Sequence, residues 1–294
     1  MTENPVHTWR GKAQFGHVYN RADPRGYFQT LRELEYQAPA HGKKVFTHLV
    51  SWQREHLQRR NVVVLDLCCS YGVNAALLNH HLTLDSLYDR YCSPELAALT
   101  TDELITADRA FYGEHRQESP VPILGIDVAE QAVAYAQKVG LHWTGSSENL
   151  EVREPSVPLS HLLTQVNLIT VTGGIGYITE RTFERVLRHA ATTASCWVAA
   201  FALRWVNYER IAKTFARYGL TTEKLSGRTF RQRRFASDDE RHYVLRELRS
   251  LGIDPTEKEA DGWYHSNFYL SYPAERKLPS LHQLVAECGE ARNL

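Results

Sequence analysis

The chain has 294 residues, of which 43% are hydrophobic and 23% charged, the composition of an ordinary globular protein with a sizeable core. Because 34 basic residues balance 34 acidic ones, charge gives no reason to expect nucleic acid or an anionic membrane as a partner. No apolar stretch approaches membrane-spanning length, and the N-terminus lacks a basic-then-apolar signal pattern. We therefore expect a cytoplasmic protein.

The spacing of cysteines and histidines indicates no metal site. The fourteen histidines include no HExxH motif, and the five cysteines form no CxxC pair. Small residues in a tight turn explain the adjacent pair at 68–69 better than metal binding does. We expect neither a metal nor a disulfide framework from the cysteines, which are Cys68, Cys69, Cys92, Cys196 and Cys288.

The first 60 residues precede the first predicted strand. Proline and glycine interrupt residues 15–28, which predicts a loop. Apolar residues at helical spacing then predict helices over 30–36 and 45–57.

A strand, a turn and a helix are predicted over 62–78. The run 62–67 is apolar except at Asp66, as in a central strand that is covered on both faces. Its end and the following turn would lie at the carboxyl edge of an α/β sheet, where ligands bind. The helix that begins after Gly72 adds free N–H donors and the positive end of a dipole.

The connection over 82–119 is long for a compact unit, and two helix starts within it predict a helical insertion. The starts are Ser93-Pro94-Glu95 and Thr101-Asp102-Glu103. The insertion would shape a substrate pocket or a homodimer contact, and the sequence leaves both open.

Alternating strands and helices follow the insertion. A second buried strand over 123–127 ends in Asp127. An outer strand predicted over 223–235 carries four arginines. There are two interpretations: the arginines bind an anionic substrate, or their charge only protects an exposed sheet edge. The other predicted elements are helices over 129–139, 180–191 and 208–218, strands over 166–171, 196–203 and 263–272, and a helix to Leu251 that a Ser237–Glu240 capping box opens.

A dinucleotide fingerprint fails at the strand end near 171. Gly174 and Gly176 would need a third glycine where Thr179 stands. The acid expected about 20 residues further on is also missing.

The order of these motifs resembles class I S-adenosylmethionine (SAM)-dependent methyltransferases, over roughly residues 60–273. The family's first motif is an apolar strand ending in an acid, followed by a loop with alternating glycines. The chain keeps Asp66 and Gly72 but has Cys68 and Ser70 at the other two glycine positions. Small side chains still permit close approach of a ligand, and Gly72 is free to take a positive φ.

The resemblance implies an α/β fold with the Rossmann-like seven-stranded mixed sheet of class I SAM-dependent methyltransferases, an N-terminal helical lid and a helical insertion. The implied parts are a lid over 1–60, a SAM-binding domain over 61–275 with the insertion at 82–119, and a tail over 276–294. The implied ligands are SAM and a small-molecule substrate, with no metal.

The resemblance also implies a site. Asp127 would accept hydrogen bonds from ribose hydroxyls, and Ser146 to Asn149 would lie near adenine. Thr172 and Gly173 would lie under the reacting sulfur. The implied SAM contacts are Asp66, Cys68, Ser70, Gly72, Asn74, Asp127, Val128, Ser146, Ser147, Glu148, Asn149, Thr172, Gly173 and Arg25.

Aromatic faces would stabilise the sulfonium cation. Tyr177 is the first candidate, and Tyr19 and Tyr27 of the lid follow, together with Arg21 as a lid contact. The alternative is that these tyrosines only pack the lid.

The implied reaction is in-line methyl transfer to a small molecule. The Asn/Asp-Pro-Pro-aromatic signature of nucleic-acid amine methylation is absent, and His17, Asp23 and Glu180 form no recognisable acid/base set. A base-poor site is also compatible with cyclisation of SAM to azetidine-2-carboxylate and release of methylthioadenosine, as in the azetidine-2-carboxylate synthases of this fold. A third interpretation is a catalytically inactive SAM-binding protein.

Overall fold

A computed structural model describes residues 16–191 and 196–286. The predictions for residues 1–15 and 287–294, and for Cys288, lie outside the described residues.

Eight strands form one mixed sheet. In the described residues the strands are β1 Val64–Leu67, β2 Ile123–Ile126, β3 Thr144–Ser146, β4 Leu168–Val171, β5 Trp197–Leu203, β6 Leu220–Lys224, β7 Phe230–Arg234 and β8 Trp263–Pro273. The order is β3-β2-β1-β4-β5-β8-β6. Strand β7 also pairs with β8, at residues 263–266, whereas β6 pairs with residues 269–273 of β8. Strands β1 to β5 are parallel, whereas β8 runs antiparallel to its neighbours. The predicted sheet with its reversed last strand is confirmed, and β7 adds an eighth strand.

Helices cover both faces of the sheet. They are α1 Gly16–Tyr19, α2 Arg25–Glu33, α3 Ala38–His56, α4 Val73–Asn79, α5 Leu84–Tyr91, α6 Pro94–Ala97, α7 Thr101–Glu114, α8 Glu130–Lys138, α9 Val157–Leu163, α10 Glu180–Ala190, α11 Glu209–Arg217, α12 Asp238–Ser250 and α13 Leu281–Ala286. Within the described ranges, no helix combines the length and the apolarity that crossing a membrane would require.

The predicted helical insertion is confirmed as α5 to α7. Ser93 caps α6, with Pro94 at the first helical position. Helix α7 is capped by Thr100, one residue before the predicted start, because Thr100 and Glu103 form a reciprocal capping box.

Successive residues of β1 pack into different hydrophobic clusters. Val64 lies in the cluster that includes α2, α3 and the insertion, and Leu65 lies in the cluster under α9 to α11. The prediction of a doubly covered central strand is therefore confirmed. Because the N-terminal helices and the insertion share one core with the sheet, their division into separate parts stays a prediction.

Three local predictions are wrong. The segment 15–28 is not all loop, because α2 already begins at Arg25 and buries Tyr27 and Phe28. The outer strand over 223–235 is two strands, interrupted where Gly227 adopts a φ of 69°. The capping box of α12 is half formed: Ser237 accepts a bond from the Glu240 backbone N–H, but the Glu240 carboxylate binds elsewhere.

Candidate active site at the carboxyl edge of the sheet

The loop after β1 has a positive φ at three alternating positions, although only one of the three residues is glycine. Cys68, Ser70 and Gly72 all lie in the left-handed region, with φ values of 59°, 47° and 77°. The Cys68 N–H donates to the Ile126 carbonyl at 2.8 Å, which holds the loop against β2. A left-handed conformation costs a residue with a Cβ roughly 1–2 kcal/mol. The surrounding structure therefore holds two strained residues at the predicted SAM loop.

Replacing Cys68 with glycine is expected to relieve this strain. We expect Cys68→Gly to raise the free energy of unfolding by about 0.5–1 kcal/mol, because the gain exceeds the extra chain entropy of glycine. The melting temperature would rise by about 1–4 °C. Cys69→Gly is the matched control, since Cys69 is buried and is not among the residues with a positive φ; it should lower the melting temperature. An equal fall in melting temperature in both variants would contradict the presence of backbone strain at Cys68.

Asp66 is buried at the end of β1 in a hydrogen-bonded chain. Its Oδ1 accepts bonds from Asn74 Nδ2 at 2.8 Å and from Thr170 Oγ1 at 2.9 Å. Asn74 Nδ2 also lies 3.2 Å from Thr172 Oγ1, and the Thr172 side chain bonds to Tyr36. The chain thus joins the ends of β1 and β4 to the lid.

Three side-chain oxygens next to this chain are buried without a hydrogen bond. Among the described residues, Asp66 Oδ2, Asn74 Oδ1 and Ser70 Oγ have no partner. Burial raises the pKa of Asp66 from 3.8 to about 7. A buried polar atom without a partner costs about 1–3 kcal/mol. Such a group of atoms at the edge of the sheet is arranged for a ligand that donates hydrogen bonds.

Asp127 follows β2 and holds the same loop. Its Oδ2 accepts the Ser70 N–H and its Oδ1 accepts the Ala129 N–H, each at 2.9 Å. Burial raises the pKa of this carboxyl, although both hydrogen bonds oppose the effect. The neighbouring Val128 exposes 62% of its surface, an unusual position for an apolar side chain beside a candidate site. Asp127 and Val128 therefore present one polar and one apolar group beside the β1 loop.

The segment after β3 forms a self-contained turn. Ser146 Oγ accepts the Glu148 N–H, and the Glu148 carboxylate accepts bonds from the N–H and hydroxyl of Ser156, both at 2.7 Å. Asn149 Oδ1 accepts the Glu151 N–H at 3.0 Å, and Ser147 is exposed. Three of the four predicted adenine contacts thus order their own loop, and the contact of all four with adenine stays a prediction.

The N-terminal helices are tied over the edge of the sheet. The Tyr71 hydroxyl, from the β1 loop, accepts the Arg21 N–H at 2.8 Å and lies 3.0 Å from the Arg21 carbonyl. On the other side, the Gln37 N–H donates to the Gln232 carbonyl at 2.7 Å, and the Arg234 N–H donates to the Leu34 carbonyl at 2.8 Å. The lid is therefore fixed both to the β1 loop and to β7.

Arg25, a predicted SAM contact, joins α2 to the insertion. Its guanidinium forms two hydrogen bonds with Asp23, at 2.9 and 2.7 Å, and donates to the Leu96 and Leu99 carbonyls of the insertion. These contacts use its Nε and both terminal nitrogens to join α2 to the insertion. The side chain therefore has a structural role there, and its contact with SAM stays a prediction.

Several tyrosines lie near the β1 loop and the end of β4. Burial raises the pKa of Tyr19, which lies within electrostatic range of Tyr36, Tyr177, Arg233 and Asp127. Tyr27 packs edge-on against both Tyr19 and Tyr71, with ring centroids 5.4 and 5.6 Å apart. Tyr177 is 51% exposed. The three predicted tyrosines are thus brought together, and their contact with a sulfonium stays a prediction.

The close approach of Tyr36 explains why Gly173 lacks a side chain. A Cβ at Gly173 would lie 2.9 Å from the Tyr36 hydroxyl and 3.6 Å from Gln232 Nε2. A Cβ at Gly174 would lie 2.5 Å from Cys68 Sγ. Both glycines therefore let the lid and the β1 loop close on the end of β4. Tyr36 and Gln232 were not singled out from the sequence, because their proximity depends on how the lid and β7 meet.

The four arginines of the outer strand divide into two groups. Arg228, Arg231 and Arg234 lie over Phe230 or Trp263, with guanidinium-to-ring distances of 4.4–4.9 Å. Arg233 is buried, and its Nη1 and Nη2 bind the two carboxylate oxygens of Glu240 at 3.0 and 2.7 Å. The protected-edge interpretation therefore fits the first three, whereas the charge of Arg233 is balanced inside the protein.

The described residues contain no group of three His, Cys, Asp or Glu side chains that could hold a metal ion. Cys68, Cys69, Cys92 and Cys196 form no disulfide among the described residues.

The parallel order β3-β2-β1-β4-β5, extended by a reversed strand between β5 and β6, defines the class I SAM-dependent methyltransferase fold. No protein-family model and no curated protein matches the chain.

Several solved structures are similar to it. A TehB-like SAM-dependent methyltransferase from Corynebacterium glutamicum is 14% identical, with 87% of this chain and 98% of that chain covered and a TM-score of 0.40. The magnesium protoporphyrin IX methyltransferase from Synechocystis PCC 6803, with bound SAM, is 12% identical, with 79% of both chains covered and a TM-score of 0.36. The plantazolicin methyltransferase in complex with S-adenosylhomocysteine is 10% identical, with 87% and 94% covered and a TM-score of 0.39. At these scores the strand order, not the likeness, carries the fold assignment.

Proposed function

We propose that the chain is a SAM-dependent enzyme that transfers a methyl group to a small molecule. The observation that carries this proposal is the group of unpartnered oxygens at the end of β1, Asp66 Oδ2, Asn74 Oδ1 and Ser70 Oγ. An ammonium group donates three hydrogen bonds and has no acceptor, so it suits these atoms. The α-ammonium of the methionyl part of SAM is such a group.

The other site residues suit the remaining parts of the same molecule. Asp127 would hold the ribose hydroxyls, and Val128 offers an apolar contact beside it for adenine, near Ser146 and Glu148. Gly173 and Gly174 let Tyr36 of the lid and Cys68 of the β1 loop approach the end of β4 closely. The lid contacts described above cover this edge of the sheet, which supports a small substrate over a macromolecule.

SAM supplies a methyl group bound to a sulfonium sulfur, which a nucleophile can displace. The residues of the protein bind SAM and orient it for this displacement. Asp66 and Asn74 hold the amino-acid end, and the hydrogen-bonded chain to Tyr36 couples this end to the lid. Positioning of this kind lowers a barrier by roughly 7–11 kcal/mol at best.

Asp66 favours a second candidate function, the cyclisation of SAM. A carboxyl with a pKa of about 7 takes up and releases a proton near neutral pH, as a general base must. If Asp66 accepts a proton from the amino group of SAM, the nitrogen can attack the carbon γ to the carboxylate. The C–S bond to that carbon then breaks, and azetidine-2-carboxylate and methylthioadenosine are released.

One experiment separates the candidates. Purified protein is incubated with SAM, alone and with sets of small amines, phenols, thiols and carboxylic acids, and the nucleoside products are resolved by mass spectrometry. We expect S-adenosylhomocysteine together with one methylated acceptor. If methylthioadenosine forms when no acceptor is added, the reaction is cyclisation and not methyl transfer.

Thermal unfolding gives the binding control for this experiment. SAM at about 100 times its dissociation constant stabilises a protein by ~2.7 kcal/mol, and we expect a rise of about 5 °C or more in the melting temperature. No rise would reject both enzymes. A rise without any turnover would indicate a catalytically inactive SAM-binding protein.

A further inference from the structure

A cleft of about 620 Å³ lies at the amino edge of the sheet. Its lining comes from the end of α3, from the segment that leads into β1 and from the segment that leads into β2. The lining residues are Arg54, Gln58, Arg59, Arg60 and Ser119. Asp66 and Asp127 lie at the other ends of the same two parallel strands. The cleft is therefore separate from the candidate active site.

Arg54 is held in the cleft by a neutral group. Its Nη1 and Nη2 both donate to the Ser119 carbonyl, each at 3.2 Å. A guanidinium has five N–H donors, so this contact leaves three of them for a ligand. The carbonyl thus fixes the position of the side chain without neutralising its charge.

Two arginines of the cleft are not matched by carboxylates in the described part of the chain. Within residues 16–191 and 196–286, neither Arg54 nor Arg60 forms an ion pair. Elsewhere in these ranges, four buried or half-buried arginines each bind an Asp or Glu side chain. They are Arg25, Arg90, Arg204 and Arg233. The cleft differs from these four places because its positive charge is not neutralised in the same way.

Further positive charge lies beside these two arginines. Arg59 is half-buried in the lining of the cleft, within electrostatic range of Arg276, which follows β8. Burial lowers the pKa of Arg59, Cys196 opposes this effect, and Arg276 adds to it. Like charges that are held together in a partly buried place repel one another, and a bound anion would offset this repulsion.

The guanidinium groups define the chemical class of the anion. Their planar forks match the oxygens of phosphates and carboxylates, and such charge-assisted bonds are roughly twice as strong as neutral ones. A carboxylate carries a single negative charge, whereas a phosphate group carries about 1.5 to 2 at neutral pH and has more acceptor oxygens. Three arginines in one cleft therefore favour a ligand with more than one phosphate group.

The surroundings of the cleft favour a small molecule over a nucleic acid. The volume of the cleft is typical of small-molecule sites. Exposed carboxylates adjoin the lining in the chain, since Glu55 is next to Arg54 and Glu118 is next to Ser119. A nucleic-acid strand that extended beyond the cleft would bring its phosphates towards these carboxylates. The balanced net charge of the chain also gives no long-range attraction for a strand.

We propose that this cleft binds a small molecule with two or more phosphate groups through the guanidinium groups of Arg54, Arg59 and Arg60. Binding is reversible and involves no covalent step. It does not depend on the proposed methyl transfer, because the cleft and the candidate active site lie at opposite edges of the sheet. The same phosphate chemistry occurs in free oligophosphates and in nucleotides.

Inorganic tripolyphosphate is the probe for this site. It is titrated into the full chain at pH 7.5 and constant ionic strength, and binding is measured by calorimetry and by thermal unfolding. We expect saturable binding and a rise in melting temperature, since a ligand that binds only the folded chain stabilises it. Citrate and sulfate at the same ionic strength should bind at least about tenfold more weakly, because they offer fewer charge-assisted bonds. Adenosine triphosphate tests whether a nucleotide binds as tripolyphosphate does.

Arg54→Gln and Arg60→Gln each remove one guanidinium from the cleft. We expect each variant to weaken tripolyphosphate binding by about 3- to 30-fold, and the double variant by about 30-fold or more. Arg60 is exposed and has no hydrogen bond among the described residues, so Arg60→Gln should keep the ligand-free melting temperature within about 2 °C. Arg249→Gln is the matched control, because Arg249 is an exposed arginine of α12 that does not line the cleft; it should change the affinity by less than about twofold.

Three results would overturn the proposal. The first is that tripolyphosphate neither binds nor stabilises the wild type, or does so no better than citrate. The second is that Arg60→Gln and the double variant bind it as tightly as the wild type does. The third is that a single-stranded oligonucleotide binds more tightly than tripolyphosphate and loses affinity in the same variants, which would make the cleft part of a nucleic-acid surface.

Discussion

Asp66→Asn is expected to reduce the affinity for SAM by about 10- to 100-fold, the worth of a buried hydrogen bond to a charged group. The variant keeps an oxygen for Asn74 and Thr170 but replaces the unpartnered Oδ2 with a neutral N–H donor. An ammonium group then meets a donor instead of a carboxylate. Isothermal titration of SAM into the wild type and the variant at pH 8 measures the difference.

The same substitution should change how stability depends on pH. Burial raises the Asp66 pKa from 3.8 to about 7, so the folded protein without ligand binds this proton more tightly than the unfolded chain does. The free energy of unfolding therefore falls as the pH rises from about 4 to about 7, and the low stability persists above pH 7. The full effect is up to roughly 4 kcal/mol. Asp66→Asn should be more stable than the wild type at pH 8, with a smaller difference at pH 5.

Thr170→Val controls for local damage. It removes one hydrogen bond to Asp66 Oδ1 but keeps the charge and the unpartnered oxygen, so the SAM affinity should fall by no more than about threefold. Equal SAM affinities of the wild type and Asp66→Asn would contradict the assignment of Asp66 to the amino-acid end of the ligand.

Asp127→Ala should abolish measurable SAM binding while the protein remains folded. The substitution removes the proposed ribose acceptor and also releases the Ser70 and Ala129 N–H groups that the carboxylate holds. Hydrogen bonds to a charged group contribute about 1.5–3 kcal/mol each. We therefore expect a loss of affinity of at least about 100-fold, measured by titration of SAM and of S-adenosylhomocysteine.

Circular dichroism and thermal unfolding of Asp127→Ala show whether the fold survives. Glu130→Ala is the matched control, because it removes an exposed carboxylate from the first turn of α8, outside the proposed pocket. This variant should bind SAM like the wild type. An unchanged SAM affinity in Asp127→Ala would remove the pocket assignment altogether.

The order of the sheet was predictable because it depends on patterns that are local in the chain. Buried strands before Asp66 and Asp127 are runs of apolar residues that end in acids, and each is followed by a helix. The parallel pairing of β1 with β2 then brings both acids to one edge. Their hydrogen bonds to Asn74 and to the Ser70 N–H follow from this placement.

Features that depend on contacts between distant segments were not predictable. Arg25 donates to the Leu96 and Leu99 carbonyls of the insertion, some 70 residues away, and no sequence pattern near Arg25 predicts these contacts. Gln232 is buried by a register shift that requires β8 as a partner. Tyr36 is placed beside Gly173 by contacts of its own segment with the insertion and with β7, through the Tyr88 hydroxyl and the Gln37 N–H.

The attachment of the lid to β7 has a kinetic consequence. A ligand bound under the lid at the carboxyl edge of the sheet would leave most readily if the lid separated from that strand. The bonds of Gln37 to Gln232 and of Arg234 to Leu34 then break, and so does the Arg234–Glu35 ion pair. The residence time of the product would then depend on this small contact, which lies beside the reacting groups. If the chain transfers methyl groups as proposed, the rate of product release would therefore be sensitive to substitutions in this contact.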